Sequence, residues 1–374
     1  MQFDCIKTNR IVTIKYVFRK ESIEYFPIIQ RGSLLIEKNV ERRNNINIDI
    51  IRILAAYMVL TIHIGQYAGF KFEVGAKGVQ LFFILSGYLA FLSLSINPDA
   101  KTYYKKRILR IIPSYWFCLL VIYILDLMIA LIKGITKEIL FQIVGGFMRY
   151  AFFIQCVTPT NNWSLWNNRS ALWTMSSFCF FYILAPILYK IMKNYKTGVV
   201  VLLISLIGTP YVSKAIEKIC ESYPEEAHIE WFSCMNPITE LYCFLLGAVL
   251  FLAIKDKKHA VYLLIIAIAM IVSSLQWYAY EFLFTIVIAI AVLEKPMIEK
   301  LRAVNLINKL SAGSFMLYLM HPIILRWGKY IGKVGIENVF LYTTALYILC
   351  VGGSYLLYYK LVKKIEENIY EKFD

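Results

Sequence analysis

Charge is scarce in this chain: 17% of its 374 residues are Asp, Glu, Lys or Arg, against about 25% in soluble domains. The apolar share is high in proportion, 59%, where a soluble fold carries roughly 45–50%. That balance excludes an ordinary soluble domain, because so much apolar surface has to be hidden from water. A cleavable leader is not expected either. Asp4, Lys7, Arg10 and Lys15 interrupt the first residues, and no small-residue cleavage site follows an apolar core, so internal spans are expected to direct insertion. The eight cysteines are scattered without a CxxC pair, which offers neither a zinc nor a redox motif, and no metal site is expected. Cys156, Cys220 and Cys234 are expected to share the outer face, where a pairing among them is the alternative to the expected state of unpaired packing thiols. There is no internal repeat of the kind many transporters show. Finally, the net charge of +15 does not gather on one face. Basic residues stand in short clusters between apolar runs, as membrane proteins place them to fix orientation. A continuous basic face with interleaved aromatics is absent, which excludes a nucleic-acid partner.

What the chain does have is a succession of apolar runs, several close to the ~20 residues that cross a hydrocarbon layer of ~30 Å. Spans are expected at about 46–67, 78–96, 113–132, 171–191, 199–211, 236–254, 260–275, 281–293, 311–331 and 339–359. The run 140–153 is short and interrupted by Gly145, Gly146 and Arg149; a segment of that length is more often interfacial than spanning. Pro113 is expected to open span three and Pro186 to break span four. Counting 140–153 as a span would move Lys190, Lys193 and Lys196 outside, against the positive-inside tendency. The expectation is therefore an all-α polytopic membrane helix bundle of about ten transmembrane helices, with both termini cytoplasmic. A polar, basic extension (1–46) precedes the membrane domain (47–360), and a charged cytoplasmic tail (361–374) follows it.

Two groups in the first span are expensive in lipid: Arg52 and His63. Ionisable residues inside membrane helices usually face a protein interior or a water-filled cavity. Their separation is a little over three helical turns, so both side chains share one face, about 16 Å apart along the axis at ~1.5 Å per residue. Arginine presents a planar, always-charged fork suited to phosphate. Neutral histidine can take a proton from a hydroxyl near neutral pH. Two plainer readings stand beside these, with Arg52 snorkelling to headgroups and His63 satisfying a backbone carbonyl. Arg107 and Arg110 are three apart, hence on adjacent rows of one helix face. With Lys105 and Lys106 they form an anion site or a topology determinant that touches acidic lipid. Ser86 and Gly87 put small side chains amid bulky ones in span two, which suits close helix packing. Trp173 and Tyr182 are belt aromatics or sugar-stacking groups.

In order along the chain, these pieces resemble the membrane acyltransferase 3 family. The resemblance covers about residues 44–360 and rests on five elements. Asp49-Ile50-Ile51-Arg52 followed by His63 is similar to its first-helix Arg-x10-His pattern. Gly78 to Gly87 (GVQLFFILSG) resembles its second-helix signature, and Arg107 to Pro113 its RxxR-x-x-Pro. Leu172-Trp173 with Tyr182 and Pro186 resembles its central tryptophan motif. Ser314 to Pro322, containing Tyr318 and His321, resembles its late Ser-x3-Tyr-Leu-x-His-Pro element. The resemblance implies an O-acyltransferase of a bacterial inner membrane that moves an acyl group, usually acetyl, from acyl-CoA to a surface polysaccharide or lipid-linked sugar. On this basis His63 is the catalytic histidine, and Arg52, Arg107 and Arg110 contact the donor. Asp49, Ser86, Trp173, Tyr182, Tyr318 and His321 are acceptor-binding or structural. Acetyl-CoA is a co-substrate, and no bound cofactor is expected. One departure stands out. Five positions after the span-four tryptophan many members carry an acid, and this chain has Phe178, which leaves the acceptor open. A transporter or flippase of lipid-linked glycans is the alternative that basic loops and buried charge would also serve.

Overall fold

Asn45 starts the first helix: its side chain accepts from the Asn47 N–H, and α1 (Ile46–Ala68) runs until Gly69, whose left-handed φ of 83° lets its N–H close on the Gly65 carbonyl. The computed structural model describes residues 45–156, 170–222, 232–233, 235–272, 278–296, 298, 301–332 and 338–373. The extension 1–44, the polar run 157–169 and Cys234 lie outside the described residues. After a short 3-10 turn (Glu73–Lys77), the chain continues as α2 (Gly78–Ile96), α3 (Ala100–Lys133) and α4 (Lys137–Ala151). A second 3-10 turn (Ser170–Trp173) leads into α5 (Thr174–Ile191), then α6 (Tyr195–Cys220), α7 (Leu241–Lys255), α8 (His259–Val272) and α9 (Ala279–Leu293). α10 (Leu301–Gly332) and α11 (Val339–Leu357) follow, and a π turn (Tyr358–Val362) joins α11 to α12 (Lys363–Phe373). No strand occurs among the described residues.

The expected architecture is met in kind, as a bundle of apolar helices. Among the described residues six helices are long and apolar enough to cross a membrane. α7, α8 and α9 are apolar but have only 15, 14 and 15 residues, which reach about 22 Å against a layer of about 30 Å. α10 has the length, 32 residues, but Ser311, Ser314, His321 and Arg326 interrupt its apolar run.

Three boundaries differ from expectation. Span three does not begin at Pro113: the basic stretch and the apolar run form one 34-residue helix with Pro113 inside it. The start is set by Asp99, whose carboxylate accepts from the Thr102 N–H. Around the proline, Tyr115 donates to the Tyr150 carbonyl at 2.9 Å and Ser114 donates to Glu366 at 2.7 Å, contacts that offset the helix hydrogen bond Pro113 lacks. Pro186 likewise lies within α5 and does not end it. The residues read as a tail fold into α12, and the π turn connects them to α11 without a loop. α4 has 15 residues and buries the stripe Ile143, Gly146 and Tyr150, leaving Phe141 exposed. It is amphipathic, as an interfacial segment would be. Cys156 and Cys220 are free thiols.

α7 occupies the middle. Every residue from Tyr242 to Ala253 is buried, the condition under which a helix can be apolar on all sides. It crosses α2 at a pair of glycines. A Cβ on Gly87 would overlap the Phe244 carbonyl, and a Cβ on Gly247 would overlap the Ile84 carbonyl. The two backbones are therefore in direct contact, which only glycine permits. At the Ile46 end, Asn47 donates to the Ala291 and Lys295 carbonyls at 3.1 and 3.2 Å, capping the last turn of α9 from α1. At the opposite end, Lys77 pairs with the fully buried Glu281 at 2.7 Å.

Candidate active site

Arg52 lies in the second turn of α1 and is paired within the protein. Its Nη1 holds Asp49 Oδ1 at 2.9 Å, and Ser311 of α10 donates to the same oxygen at 2.6 Å. Arg110 and Arg107 of α3 are both near enough for their charge to act on Arg52. Asp49 is thus paired with Arg52, while Arg107 and Arg110 add two further charges nearby, leaving a surplus of positive charge where α1, α3 and α10 meet. An intramembrane charge costs on the order of 3 kcal/mol in insertion, which makes a cluster of this kind an expensive way to build plain structure.

Arg107 is held by aromatic faces. Its guanidinium lies 5.2 Å from the Tyr103 ring centre and 4.9 Å from that of Tyr182, within cation–π range. Its Nη2 donates to the Leu89 carbonyl at 3.3 Å. Tyr182 also reaches Ser86 by a long hydrogen bond of 3.4 Å. Phe178, at the position where many relatives place an acid, packs edge-on to Phe83 at 5.0 Å and lies 6.0 Å from Tyr182. It is 8% exposed. In this chain the position is a packing site in an aromatic cluster with Phe83 and Phe181.

Further along α1, His63 lies parallel to His321 of α10, with ring centroids 5.1 Å apart and an interplanar angle of 20°. His321 is fully buried, and its Nδ1 meets the Leu317 carbonyl at 3.2 Å. A carbonyl only accepts, so that nitrogen carries the proton and Nε2 keeps the lone pair. Nε2 of His321 and Nδ1 of His63 are buried without hydrogen-bond partners among the described residues. The carbonyl role considered for His63 is thus not filled at Nδ1. Tyr318 stands 6.1 Å from the His321 ring and shares a 2.9 Å hydrogen bond with Thr174. It also receives Phe82 edge-on at 5.5 Å. Trp173 meets Phe83 edge-on at 6.2 Å, so it borders the aromatic cluster and has no ring contact with either histidine.

Residues 45–359 match the family model described as an acyltransferase domain. The chain belongs to the acyltransferase 3 family. Nodulation protein 10 of Rhizobium leguminosarum bv. viciae is 24% identical to it over 191 residues, which cover 44% of this chain and 49% of that protein. ORF330 of Acidianus two-tailed virus, whose name calls it an acetyltransferase, is 25% identical over 143 residues, 38% of this chain and 39% of that one. The chain therefore matches less than half the length of these curated relatives. No solved structure matches it.

Several residues of this acyltransferase 3 chain join the site without having been legible beforehand. Ser311 and Thr174 give no signal in sequence, because each matters only through a distant partner. Glu366 of α12 accepts from Ser114 at 2.7 Å and from Tyr358 at 3.3 Å, and the charge of Arg110 acts on it. Asp126 of α3 and Arg326 of α10 pair at 3.0 Å, the carboxylate side chain only 1% exposed. For Asp126 a signal was present, a lone carboxylate within the apolar run of span three.

Proposed function

We propose that this chain is an O-acyltransferase of a bacterial inner membrane. It takes an acyl group, acetyl in the first instance, from acyl-CoA and places it on a hydroxyl of a cell-surface polysaccharide or a lipid-linked sugar. The Ile46 end of the bundle faces the cytosol, and both termini lie on that side. The observation that carries this reading is the division of α1. In its second turn Arg52 is paired with Asp49, with Arg107 and Arg110 of α3 near enough for their charge to act on it. About 16 Å along the same helix the His63–His321 stack presents buried ring nitrogens without hydrogen-bond partners among the described residues.

In this reading the guanidinium cluster receives the phosphates of CoA, which surplus positive charge and forked donors favour. The acyl thioester extends along the seam toward the histidines. His63 takes the proton of the acceptor hydroxyl as that oxygen attacks the thioester carbonyl. The C–O bond forms, the C–S bond breaks, and the CoA thiolate leaves and is protonated. Transfer is direct, with no acyl-enzyme intermediate. Phe178 assigns no second acid–base group to α5, so the burden falls on the histidine pair. The name of the viral relative agrees with the acetyl assignment.

The test is transfer of label from acetyl-CoA to membrane glycans by the parent protein and by His63→Ala, with membrane insertion followed alongside. Loss of transfer at normal insertion is expected; undiminished transfer by the variant would overturn the mechanism.

A further inference from the structure

One turn beyond His63 along α1, and one turn beyond His321 along α10, a pocket opens between α1, α3 and α10. Its lining includes Tyr67, Asp126, Arg326, Trp327 and Leu172. Its character differs from that of the arginine cluster. Asp126 and Arg326 are the two charged residues among those that line it, and they pair at 3.0 Å. A neutral pair does not select an anion, so the pocket is not a second phosphate site. It does present a carboxylate that accepts hydrogen bonds beside a guanidinium that donates them, which is what adjacent hydroxyl groups require. Trp327 and Tyr67 are 43% and 38% exposed, giving two aromatic faces that are neither fully packed nor fully in the open. Apolar lining with a few convergent polar groups is the usual composition of a small-molecule site.

Burial of the carboxylate argues in the same direction: the Asp126 side chain is 1% exposed while that of Arg326 is 37% exposed. Removing a carboxylate from water costs several kcal/mol. A buried carboxylate kept beside a partly open guanidinium and aromatic faces, one turn from His63, points to ligand recognition.

We propose that this pocket is the acceptor subsite, and that it holds a neutral sugar ring of the glycan with its hydroxyls on Asp126 and Arg326 and its apolar face on Trp327. The assignment rests on the acyltransferase reading above and deepens it by fixing where the acceptor enters. A sugar seated there presents a hydroxyl toward His63 from the side opposite the donor arginines.

Binding tests this separately from transfer. The full-length protein in nanodiscs is titrated with a tritiated, de-O-acetylated oligosaccharide pool from the surface glycan of the source cell. The parent and His63→Ala are expected to bind the pool equally. Trp327→Ala, and the charge-neutral double variant Asp126→Asn with Arg326→Gln, are expected to bind about tenfold more weakly or worse. The KM for acetyl-CoA should stay at the parent value in both. A parent that does not bind the pool, or variants that bind it as the parent does, would overturn the subsite. If these variants lose binding while His63→Ala still transfers acetyl groups, the subsite stands and the histidine mechanism falls.

Discussion

His63 and His321 come from the first and the tenth helix, and they meet ring on ring with centroids 5.1 Å apart. Stacked rings cannot share a proton directly, so the two imidazoles have different tasks. His321 is tied through Nδ1 to the Leu317 carbonyl and forms a fixed wall. His63 lacks that tether at Nδ1. His63→Ala is accordingly expected to lower kcat by about a hundredfold to ten-thousandfold, the usual contribution of general-base catalysis. His321→Gln keeps a side chain of similar reach and should cost less. Steady-state acetyl transfer by purified, correctly inserted protein checks both, and a larger loss at His321 would exchange their roles.

Arg107 and Arg110 are expected to act on the donor alone. Arg107→Ala or Arg110→Ala should raise the KM for acetyl-CoA and leave the acceptor KM in place. Arg107→Lys should fail to restore it, because a lysine ammonium cannot reproduce a planar group packed between Tyr103 and Tyr182. Donor saturation curves for the three variants decide this, and unchanged curves would return the pair to setting membrane orientation.

Asp49 positions Arg52 and is itself held by Ser311. Asp49→Asn removes a charge-assisted hydrogen bond worth about 1.5–3 kcal/mol. The donor KM should rise by roughly tenfold to a hundredfold if the whole of that energy is used in binding. Ser311→Ala should move the same parameter in the same direction by less. A change in kcat with donor KM unaltered would contradict the positioning role.

Gly247 lies against the Ile84 carbonyl, and Gly87 against that of Phe244. Gly247→Val has to push two central backbones apart, an overpacking cost of about 1–3 kcal/mol or more. The expected result is a lower unfolding temperature in detergent, measured by thermal scanning fluorescence. Gly145→Ala is the control, since nothing lies within 4 Å of a Cβ there, and it should leave that temperature in place.

Much of this was legible from residue spacing. The apolar runs marked the helices, and a period of 3.6 put Arg52 and His63 on one stripe. The small pair Ser86-Gly87 marked the close crossing, where it is Gly87 that touches the neighbouring backbone. Local signals failed where distant groups decide the outcome. Pro113 and Pro186 read as boundaries because each removes a helix hydrogen bond. At Pro113 the neighbouring contacts to Tyr150 and Glu366 keep the helix continuous, and neither partner can be inferred from the residues around it. The final residues read as a solvated tail because six of the eleven from 363 to 373 are charged, yet Glu366 turns inward to Ser114 and Tyr358. Asp126 could have been singled out as a carboxylate within an apolar run, but its partner Arg326 lies far along the chain. Phe178 was seen as a departure, and its aromatic neighbours Phe83 and Tyr182 show that the position is used here for packing.

The continuity of α3 through Pro113 has a consequence for how the two substrates find each other. A single unbroken rod carries Arg110 at one station and Asp126 at the other, roughly 24 Å apart at 1.5 Å per residue. That spacing cannot be shortened by bending a loop. On the proposed reading, a donor anchored by its phosphates at the first station would have to deliver its thioester by the reach of its own flexible arm, and the length of α3 would then act as a ruler that selects a long-armed acyl carrier over a short acyl phosphate.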